Sequence, residues 1–321
     1  MRRYAILFAV VSLLLPVTAF AQRQTPEAAL NLFKNALKKT GNGDLDGAIE
    51  DYTRAITLSS RLDTRKNTGN SFAGAKDSSS DSSSEEITVI DPFTANAYTN
   101  RGLARYEKGD YPGAIEDFNQ ALRIRPGLAT AYLNRAAALR ATDDLNGALK
   151  DLDRAIALQK DFFRAYNNRG SVHLDLGNHN AALADLNRAI ELDQSVAETF
   201  YQRGYTHLAL KNFDAALTDF NSAVRLGPEM AWVYQGRGTA FMYKGQMLEA
   251  MADFTRAIER DPQLAWAYCN RGLVKMYLGN DSEAQKDFAE CLKIKPGLKA
   301  ELESRSNLAK QLRRIGKSED F

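Results

Sequence analysis

Apolar and small side chains recur along the chain with a period of 34 residues. Within each period, positions 4, 8 and 11 lie on one face of a helix, and positions 20, 24 and 27 lie on one face of another. Position 4 is aromatic, position 8 is small, position 20 is alanine and position 24 is bulky. Six consecutive units show this pattern, starting at Ala95, Ala129, Phe163, Ala197, Ala231 and Ala265. The pattern predicts two helices per unit that approach closely where the small residues meet.

The middle of each unit carries signals for a turn between these two helices. Glycine at position 15 favours a left-handed helix end, and it is present at Gly109, Gly177, Gly245 and Gly279. A residue that can cap the second helix follows at Asp110, Asp144, Asn178, Asn212 and Asn280. Because one helical hairpin cannot bury its apolar face alone, neighbouring units must stack. The sequence therefore predicts an all-α solenoid of antiparallel helix pairs.

The small, aromatic and alanine positions resemble those of the tetratricopeptide repeat (TPR), a resemblance that covers almost the whole chain after residue 28. Proline at position 32 belongs to the same pattern, at Pro126, Pro228, Pro262 and Pro296. The resemblance implies a TPR-like, right-handed superhelical solenoid. It also implies that positions 2, 5, 6, 9, 12 and 13 line a concave groove for an extended peptide.

The repeat pattern divides the chain into segments. A weaker repeat occupies residues 29–62, and a Ser-, Gly- and Asp-rich insert over 63–94 is typical of a flexible linker. Six full units cover 95–298, a charged capping helix is predicted over 299–315, and a tail covers 316–321. The first repeat either stacks on the second or hinges independently of it. We favour stacking, because a lone hairpin leaves apolar surface exposed to solvent.

The first 21 residues have the features of a secretory signal peptide. Arg2 and Arg3 precede an apolar run, and Ala19 and Ala21 fit a cleavage site before Gln22. We therefore expect export to the periplasm or secretion, with no stable membrane insertion after cleavage. An uncleaved membrane anchor is the alternative.

The charge balance bears on the class of binding partner, and the two cysteines bear on the redox state of the compartment. Without Arg2 and Arg3 the chain has 40 basic and 40 acidic residues, and this balance gives no sign of nucleic-acid binding. Cys269 and Cys291 lie on the two helices of one repeat and can form a disulfide in an oxidising compartment. We favour the alternative, in which Cys291 is a small core residue and the two are not bridged.

Arginine at position 7 and aspartate at position 23 occur together in all six units. The arginines are Arg101, Arg135, Arg169, Arg203, Arg237 and Arg271, and the aspartates are Asp117, Asp151, Asp185, Asp219, Asp253 and Asp287. The two positions reach the same height either within a hairpin or between neighbouring repeats, so both pairings stay open. We expect these pairs to fix the register of the helices.

Two sets of residues are candidates for peptide binding. An amide side chain can donate to and accept from a peptide backbone, and position 6 carries Asn100, Asn134, Asn168, Gln202 and Asn270. This series resembles the amide ladder in the repeat domain of the O-linked N-acetylglucosamine transferase, and Gly236 interrupts it. Exposed aromatic and methionine side chains mark interaction surfaces, and the later groove positions carry Tyr201, Tyr205, Trp232, Met242, Tyr243, Trp266, Met276 and Tyr277. The alternatives are that the amides are only solvated and that the apolar side chains pack between neighbouring helices.

The sequence contains no motif of a catalytic site. Glycine-rich phosphate loops, nucleophile elbows and metal-ligand spacings are absent, so we predict no enzyme activity, no cofactor and no metal. His173, His179 and His207 fall near each other in the repeat scheme, and packing roles are favoured over a metal site. The expected function is an adaptor of the cell envelope that binds a protein or peptide. The alternatives are a self-associating envelope component and a secreted glycan-binding module.

Overall fold

The computed structural model describes residues 27–69 and 92–316, with side chains described over 27–59 and 93–316. All regular elements in these ranges are helical. The predicted signal peptide and residues 70–91 of the predicted insert lie outside the described residues. The α-helices are α1 (Glu27–Gly41), α2 (Leu45–Gly69), α3 (Pro92–Lys108), α4 (Tyr111–Ile124), α5 (Ala129–Ala141), α6 (Leu145–Leu158), α7 (Phe163–Asp175), α8 (His179–Leu192), α9 (Ala197–Ala209), α10 (Phe213–Leu226), α11 (Ala231–Tyr243), α12 (Met247–Arg260), α13 (Ala265–Tyr277), α14 (Asp281–Ile294) and α15 (Lys299–Ile315), with a 3₁₀ turn at Pro296–Leu298.

The chain forms two compact units, Met1–Asn168 and Arg169–Phe321. In the first unit α1 packs on α2, α3 on α4 and α5 on α6; in the second, α9 packs on α10, α11 on α12 and α13 on α14. The first helices of neighbouring repeats also contact each other, α1 with α3 and α3 with α5 in one unit, and α9 with α11 and α11 with α13 in the other. The predicted all-α fold of tandem antiparallel helix pairs is confirmed.

The close approach of the paired helices depends on the small residue at position 8. A Cβ atom added at Gly102 would lie 2.8 Å from Cε1 of Phe118, and one added at Gly238 would lie 2.9 Å from Cε1 of Phe254. The alanines at position 20 are fully buried. The bulky side chain at position 24 therefore fills the space that a larger residue at position 8 would need.

The turns between paired helices are formed partly as predicted. Each glycine at position 15 is left-handed, as is Gly43 of the first repeat, whose φ is +79°. Asp110 caps α4 by accepting from the Gly113 N–H, whereas the predicted capping by asparagine side chains at 178, 212 and 280 is wrong. An added Cβ at Gly113 would lie 2.2 Å from Oδ2 of Asp110, so a larger residue here would displace the capping carboxylate from its observed position. The repeats with asparagine carry Ala181, Ala215 and Glu283 at that place.

The helices of the first two repeats extend into the segment predicted as a linker. Helix α2 continues to Gly69 because no proline or glycine interrupts it earlier, and α3 begins at Pro92, where proline is compatible with a helix start. The first repeat stacks on the second: Phe33, Tyr52 and Phe93 share one apolar core, with the rings of Phe33 and Phe93 5.3 Å apart.

Helix α15 covers the last hairpin. Its residues Leu302, Ala309 and Leu312 are buried, and the helix packs on α13 of that hairpin. Nη1 of Arg313 donates to the Met276 carbonyl at 3.0 Å. In the part of the chain that the structure describes, none of the helices has the length and apolar character needed to cross a bilayer.

Candidate functional site

The arginine at position 7 binds the aspartate of its own hairpin, which answers the question that the sequence left open. In repeat five, Nε and Nη2 of Arg203 lie 2.9 and 2.6 Å from the two carboxylate oxygens of Asp219. The same two-donor geometry occurs in the other five pairs, Arg101–Asp117, Arg135–Asp151, Arg169–Asp185, Arg237–Asp253 and Arg271–Asp287. The aspartates are buried, so the pairing compensates a charge that would otherwise be costly.

The remaining guanidinium nitrogen connects neighbouring repeats. Nη1 of Arg203 donates to Oδ1 of Asn187 at 2.8 Å, a side chain at position 25 of the preceding repeat. The same link joins Arg135 to Asn119, Arg237 to Asn221, Arg271 to Thr255 and Arg101 to Thr53. Each of these arginines therefore joins the two helices of its own hairpin. It also fixes the register of that hairpin relative to the preceding one.

Position 11 supplies a second cation to several of these aspartates. Nη1 of Arg105 lies 3.0 Å from Asp117, and Nζ of Lys275 lies 2.8 Å from Asp287. In repeats four and five this place is taken by His173 and His207, whose Nε2 atoms lie 3.9 and 3.8 Å from their aspartates. Within the described residues no three His, Cys, Asp or Glu side chains form a group that fits a metal ion.

Acid is expected to weaken repeat five through His207. Burial lowers the pKa of this imidazole, Arg203 adds to that shift and Asp219 opposes it. Because the unfolded chain then binds the proton more readily, stability falls as the pH drops below about 6.5. Phenylalanine occupies the equivalent position 241, so His207→Phe is a matched substitution. Urea unfolding between about pH 7.5 and pH 5 should show a smaller loss in the variant; an equal loss would exclude His207 as the source.

The amides at position 6 do not form a continuous row of free groups. Nδ2 of Asn100 donates to the Asn96 carbonyl at 3.0 Å, and Gln202 accepts from Ser171 at 2.8 Å and donates to Glu198 at 3.2 Å. Asn134 and Asn270 are 7% and 4% exposed, so their prediction as exposed peptide ligands is wrong. Asn168, the remaining member, lies at the end of the first unit and is partly exposed.

Three partly exposed aromatic rings lie on the surface formed by α9, α11 and α13, here called the first-helix face of the second unit, and two of them contact the buried ring of Phe220 on α10. The centroid of Tyr201 lies 4.8 Å from Tyr205, 5.8 Å from Phe220 and 4.5 Å from Trp232. Tyr205 also contacts Phe220 at 5.4 Å. Tyr201, Tyr205 and Trp232 are partly exposed, so this aromatic cluster combines a packed base with accessible ring surface.

Gly236 makes room for the aromatic cluster. A Cβ atom at this position would lie 2.6 Å from Cε1 of Phe220 and 3.0 Å from Cε2 of Tyr201. The amide series is therefore interrupted where the rings of Phe220 and Tyr201, from the preceding repeat, pack against α11. The interruption is visible in the sequence, but its cause is a contact between side chains of two neighbouring repeats.

The other predicted aromatic and methionine residues are divided between surface and core. Met242 and Met276 are fully buried, so the prediction that they line an exposed surface is wrong. Both pack inside the apolar cores of repeats six and seven, because position 12 faces the interior there. Tyr243 and Tyr277 are partly exposed, and Tyr243 stacks on Phe213 with centroids 5.7 Å apart.

Trp266 lies apart from the aromatic cluster. It lines a narrow crevice with Cys269, Leu298 and residues of α15, and Nζ of Lys295 lies 5.8 Å from its ring centre. Among the described residues no ring contact joins Trp266 to Trp232. Trp232 and Trp266 therefore belong to two separate aromatic sites.

Cys269 and Cys291 form a disulfide, contrary to the expectation that Cys291 is an unbridged core residue. Their Cα atoms are 5.4 Å apart, and the bond joins α13 to α14 in the last repeat. Position 27 requires a small residue, and a cysteine fits there whether it is free or bridged. The repeat pattern therefore could not distinguish the two states. Both residues are at most 1% exposed.

Comparison with known proteins places the repeat pattern in a family. Models described as TPR repeat or tetratricopeptide repeat match residues 102–143, 128–161, 163–196, 201–268 and 267–297. The chain is 30% identical over 126 residues to the heat-shock protein cognate co-chaperone sgt12 of Aspergillus fumigatus, which covers 33% of this chain and 35% of that protein. The chain thus spans about a third of the length of this relative.

Solved structures show the same fold at low sequence identity. A tetratricopeptide repeat protein from Parabacteroides merdae has a TM-score of 0.61 at 20% identity and covers 88% of this chain and 98% of its own. PilF of Pseudomonas aeruginosa has a TM-score of 0.57 at 19% identity and covers 70% and 97% respectively. With the family matches between residues 102 and 297, these similarities show that the chain is built from tetratricopeptide repeats.

Proposed function

We propose that this protein is a non-catalytic adaptor of the cell envelope that holds an extended segment of another protein on the first-helix face of its second unit. The TPR fold supports a protein-interaction scaffold. The observation that carries the finer proposal is the aromatic cluster of Tyr201, Tyr205 and Trp232, which leaves ring surface accessible on this face. Rigid aromatic groups are favoured anchors in interfaces.

Polar groups beside the aromatic cluster suit the backbone of an extended peptide. The amide of Gln235 lies 3.5 Å from the Tyr205 hydroxyl. Burial raises the pKa of Tyr205, whose hydroxyl, like that of any tyrosine, is protonated at neutral pH. An apolar anchor surrounded by amides and hydroxyls is a common arrangement in peptide-binding sites.

Export is part of the proposal, and two observations support it. Residues 1–21 have the sequence features of a signal peptide. Independently, Cys269 and Cys291 are bridged, and structural disulfides persist in oxidising compartments such as the periplasm or the extracellular space.

End-to-end self-assembly is less well supported than the adaptor function. The links between repeats need an arginine at position 7 and an acceptor at position 25 of the repeat before it. The first repeat has Asn35 at position 7, and the last has Ala289 at position 25. The chain therefore lacks both halves of the link that a second copy, stacked in register at either end, would use.

The proposed peptide site can be tested with a phage-displayed library of random dodecapeptides and the protein without residues 1–21. Synthetic versions of the selected peptides should bind the wild type, and Trp232→Ala should weaken binding by about tenfold or more, as expected for an aromatic anchor. Fluorescence polarisation gives the affinities, and circular dichroism confirms that the variant stays helical.

Leu248→Ala is the matched control. Leu248 is an apolar side chain on α12 and is 66% exposed, but it lies on a second helix rather than a first helix. This variant should bind the selected peptides as the wild type does. Equal binding by Trp232→Ala, or a library that yields no binders, would count against the proposed function.

A further inference from the structure

The aromatic cluster of the second unit continues toward the turn end of its helices as a strip of partly exposed rings. This aromatic strip consists of Trp232, Tyr201, Tyr205, Tyr243 and Phe213. The ring of Tyr201 lies 4.5 Å from Trp232 and 4.8 Å from Tyr205, and the ring of Tyr243 stacks on Phe213 at 5.7 Å. The four rings other than Trp232 pack on one shared apolar core, and all five belong to the second unit.

Tyr205 connects the two parts of the aromatic strip. Burial raises the pKa of its hydroxyl, a hydrogen bond with Tyr201 opposes this shift, and the nearby Tyr243 adds to it. Trp232 and Tyr243 lie at positions 2 and 13 of the same repeat, so the helical rise of α11 separates their Cα atoms by about 16 Å. The strip therefore runs along the helix axes, beside the seam between α9 and α11.

The ionised side chains next to the strip are engaged within the protein. At the N-terminal end of α9, Glu198 accepts from the amide of Gln202 at 3.2 Å. At the turn end of α11, Lys244 pairs with Asp214. The strip therefore suits an uncharged segment, held by ring contacts and neutral hydrogen bonds.

The polar groups beside the rings favour a ligand that presents carbonyl oxygens. Trp232 is partly exposed, and its indole N–H, which can only donate, makes no hydrogen bond within the described residues. Position 6, where an amide could also accept from a peptide N–H, is Gly236 in this repeat. The amide of Gln202 accepts from Ser171 at 2.8 Å and donates to Glu198. A peptide N–H pressed onto the rings would lose its water and meet aromatic carbon, which is costly.

We propose that the aromatic strip binds a proline-rich segment in the polyproline II conformation. Proline has no backbone N–H, so such a segment avoids this cost and keeps its carbonyl groups for donors such as Trp232. Its conformation is formed before binding, so little entropy is lost, and aromatic grooves are used for such segments in other folds. At a rise of about 3.1 Å per residue, about five residues cover the strip. This inference rests on the proposed peptide-binding function and names the class of peptide.

Decaproline with blocked ends tests the class of ligand directly, because it is uncharged and forms a left-handed polyproline II helix. Isothermal titration calorimetry of the protein without residues 1–21 should give a Kd of about 0.1 mM or lower. All-D-decaproline has the same composition and the opposite hand, and should bind at least about tenfold more weakly. Equal affinities for the two, or no binding of decaproline at about 1 mM, would overturn the inference.

Tyr243→Leu tests whether the rings act as one strip. Because it removes the ring at the end opposite Trp232 but keeps apolar volume, it should weaken decaproline binding by about fivefold. Tyr277→Leu is the matched control, since Tyr277 is partly exposed at the same repeat position of α13, outside the strip, and its loss should leave the affinity unchanged. Circular dichroism checks that both variants stay helical, and the titrations of the wild type do not depend on either variant. Unchanged affinity of a helical Tyr243→Leu would overturn the strip as the binding site.

The dodecapeptide library separates this inference from the proposed function. Peptides selected on the wild type should be enriched in prolines three residues apart, the period of the polyproline II helix, and decaproline should displace them. Selected peptides that lose affinity with Trp232→Ala but carry no such prolines would overturn the inference and leave the adaptor function supported. Leucine or phenylalanine recurring at a spacing of four would indicate a bound helix, with the same consequence. A library without binders, together with no binding of decaproline, would overturn both proposals.

Discussion

Replacing Asp253 by alanine is expected to lower the free energy of unfolding by about 3–5 kcal/mol, the cost of leaving a buried ion pair with one partner. Asp253 is fully buried, and its carboxylate accepts from Nε and Nη2 of Arg237 at 2.6 and 3.0 Å and from Nη1 of Arg256 at 2.7 Å. Without it the guanidinium of Arg237 remains between two helices with no counter-charge.

The double variant Arg237→Met and Asp253→Leu is the control for this experiment. Because it removes both charges, it should be considerably more stable than Asp253→Ala alone. Arg237 also links repeat six to Asn221 of repeat five, so the double variant should still loosen that junction. Urea unfolding measures the first effect, and amide hydrogen exchange in α10 and α11 measures the second. Equal losses in the single and double variants would show that the charge is not what makes the single substitution costly.

The fold could be predicted because the residues that determine helix packing and turns recur at fixed positions in every repeat. The small residue at position 8 and the large residue at position 24 determine how closely the two helices approach. Glycine at position 15 marks the turn between them. The pairing of the arginine at position 7 could not be chosen, since both turns bring an aspartate to its height. The acceptor at position 25 was the missing signal: Asn119, Asn187 and Asn221 are polar, and Ala289 ends the series.

The candidate site was harder to predict because exposure depends on how each first helix is rotated against its neighbours. Tyr201 and Met242 both belong to positions that line the TPR groove, yet the first is partly exposed and the second is fully buried. A periodic pattern gives the apolar face of a helix but not its rotation against its neighbours, and a small rotation is enough to move a side chain from the surface to the core.

The disulfide is expected to contribute about 3 kcal/mol to the stability of the last repeat. Cys269 and Cys291 are 22 residues apart in sequence, and cross-linking a loop of this length restricts the unfolded chain by about that amount. Alanine at both positions is the appropriate replacement, because alanine is the usual residue at position 27 and leaves the packing of α14 largely unchanged.

The loss should be concentrated at the C-terminal end of the second unit. The last hairpin has a full repeat on one side and only α15 on the other, so it has fewer contacts to hold it when the covalent link is absent. Hydrogen exchange should therefore accelerate in α13, α14 and α15 of the double alanine variant before it changes in α9 and α10. Reductant should act slowly on the native wild type, since both sulfur-bearing residues are buried, and should reproduce the variant's exchange pattern once the bond opens. Unchanged exchange in α13–α15 would mean that packing against α12 and α15 alone holds the last repeat, and that the disulfide only reports the compartment in which the chain folds.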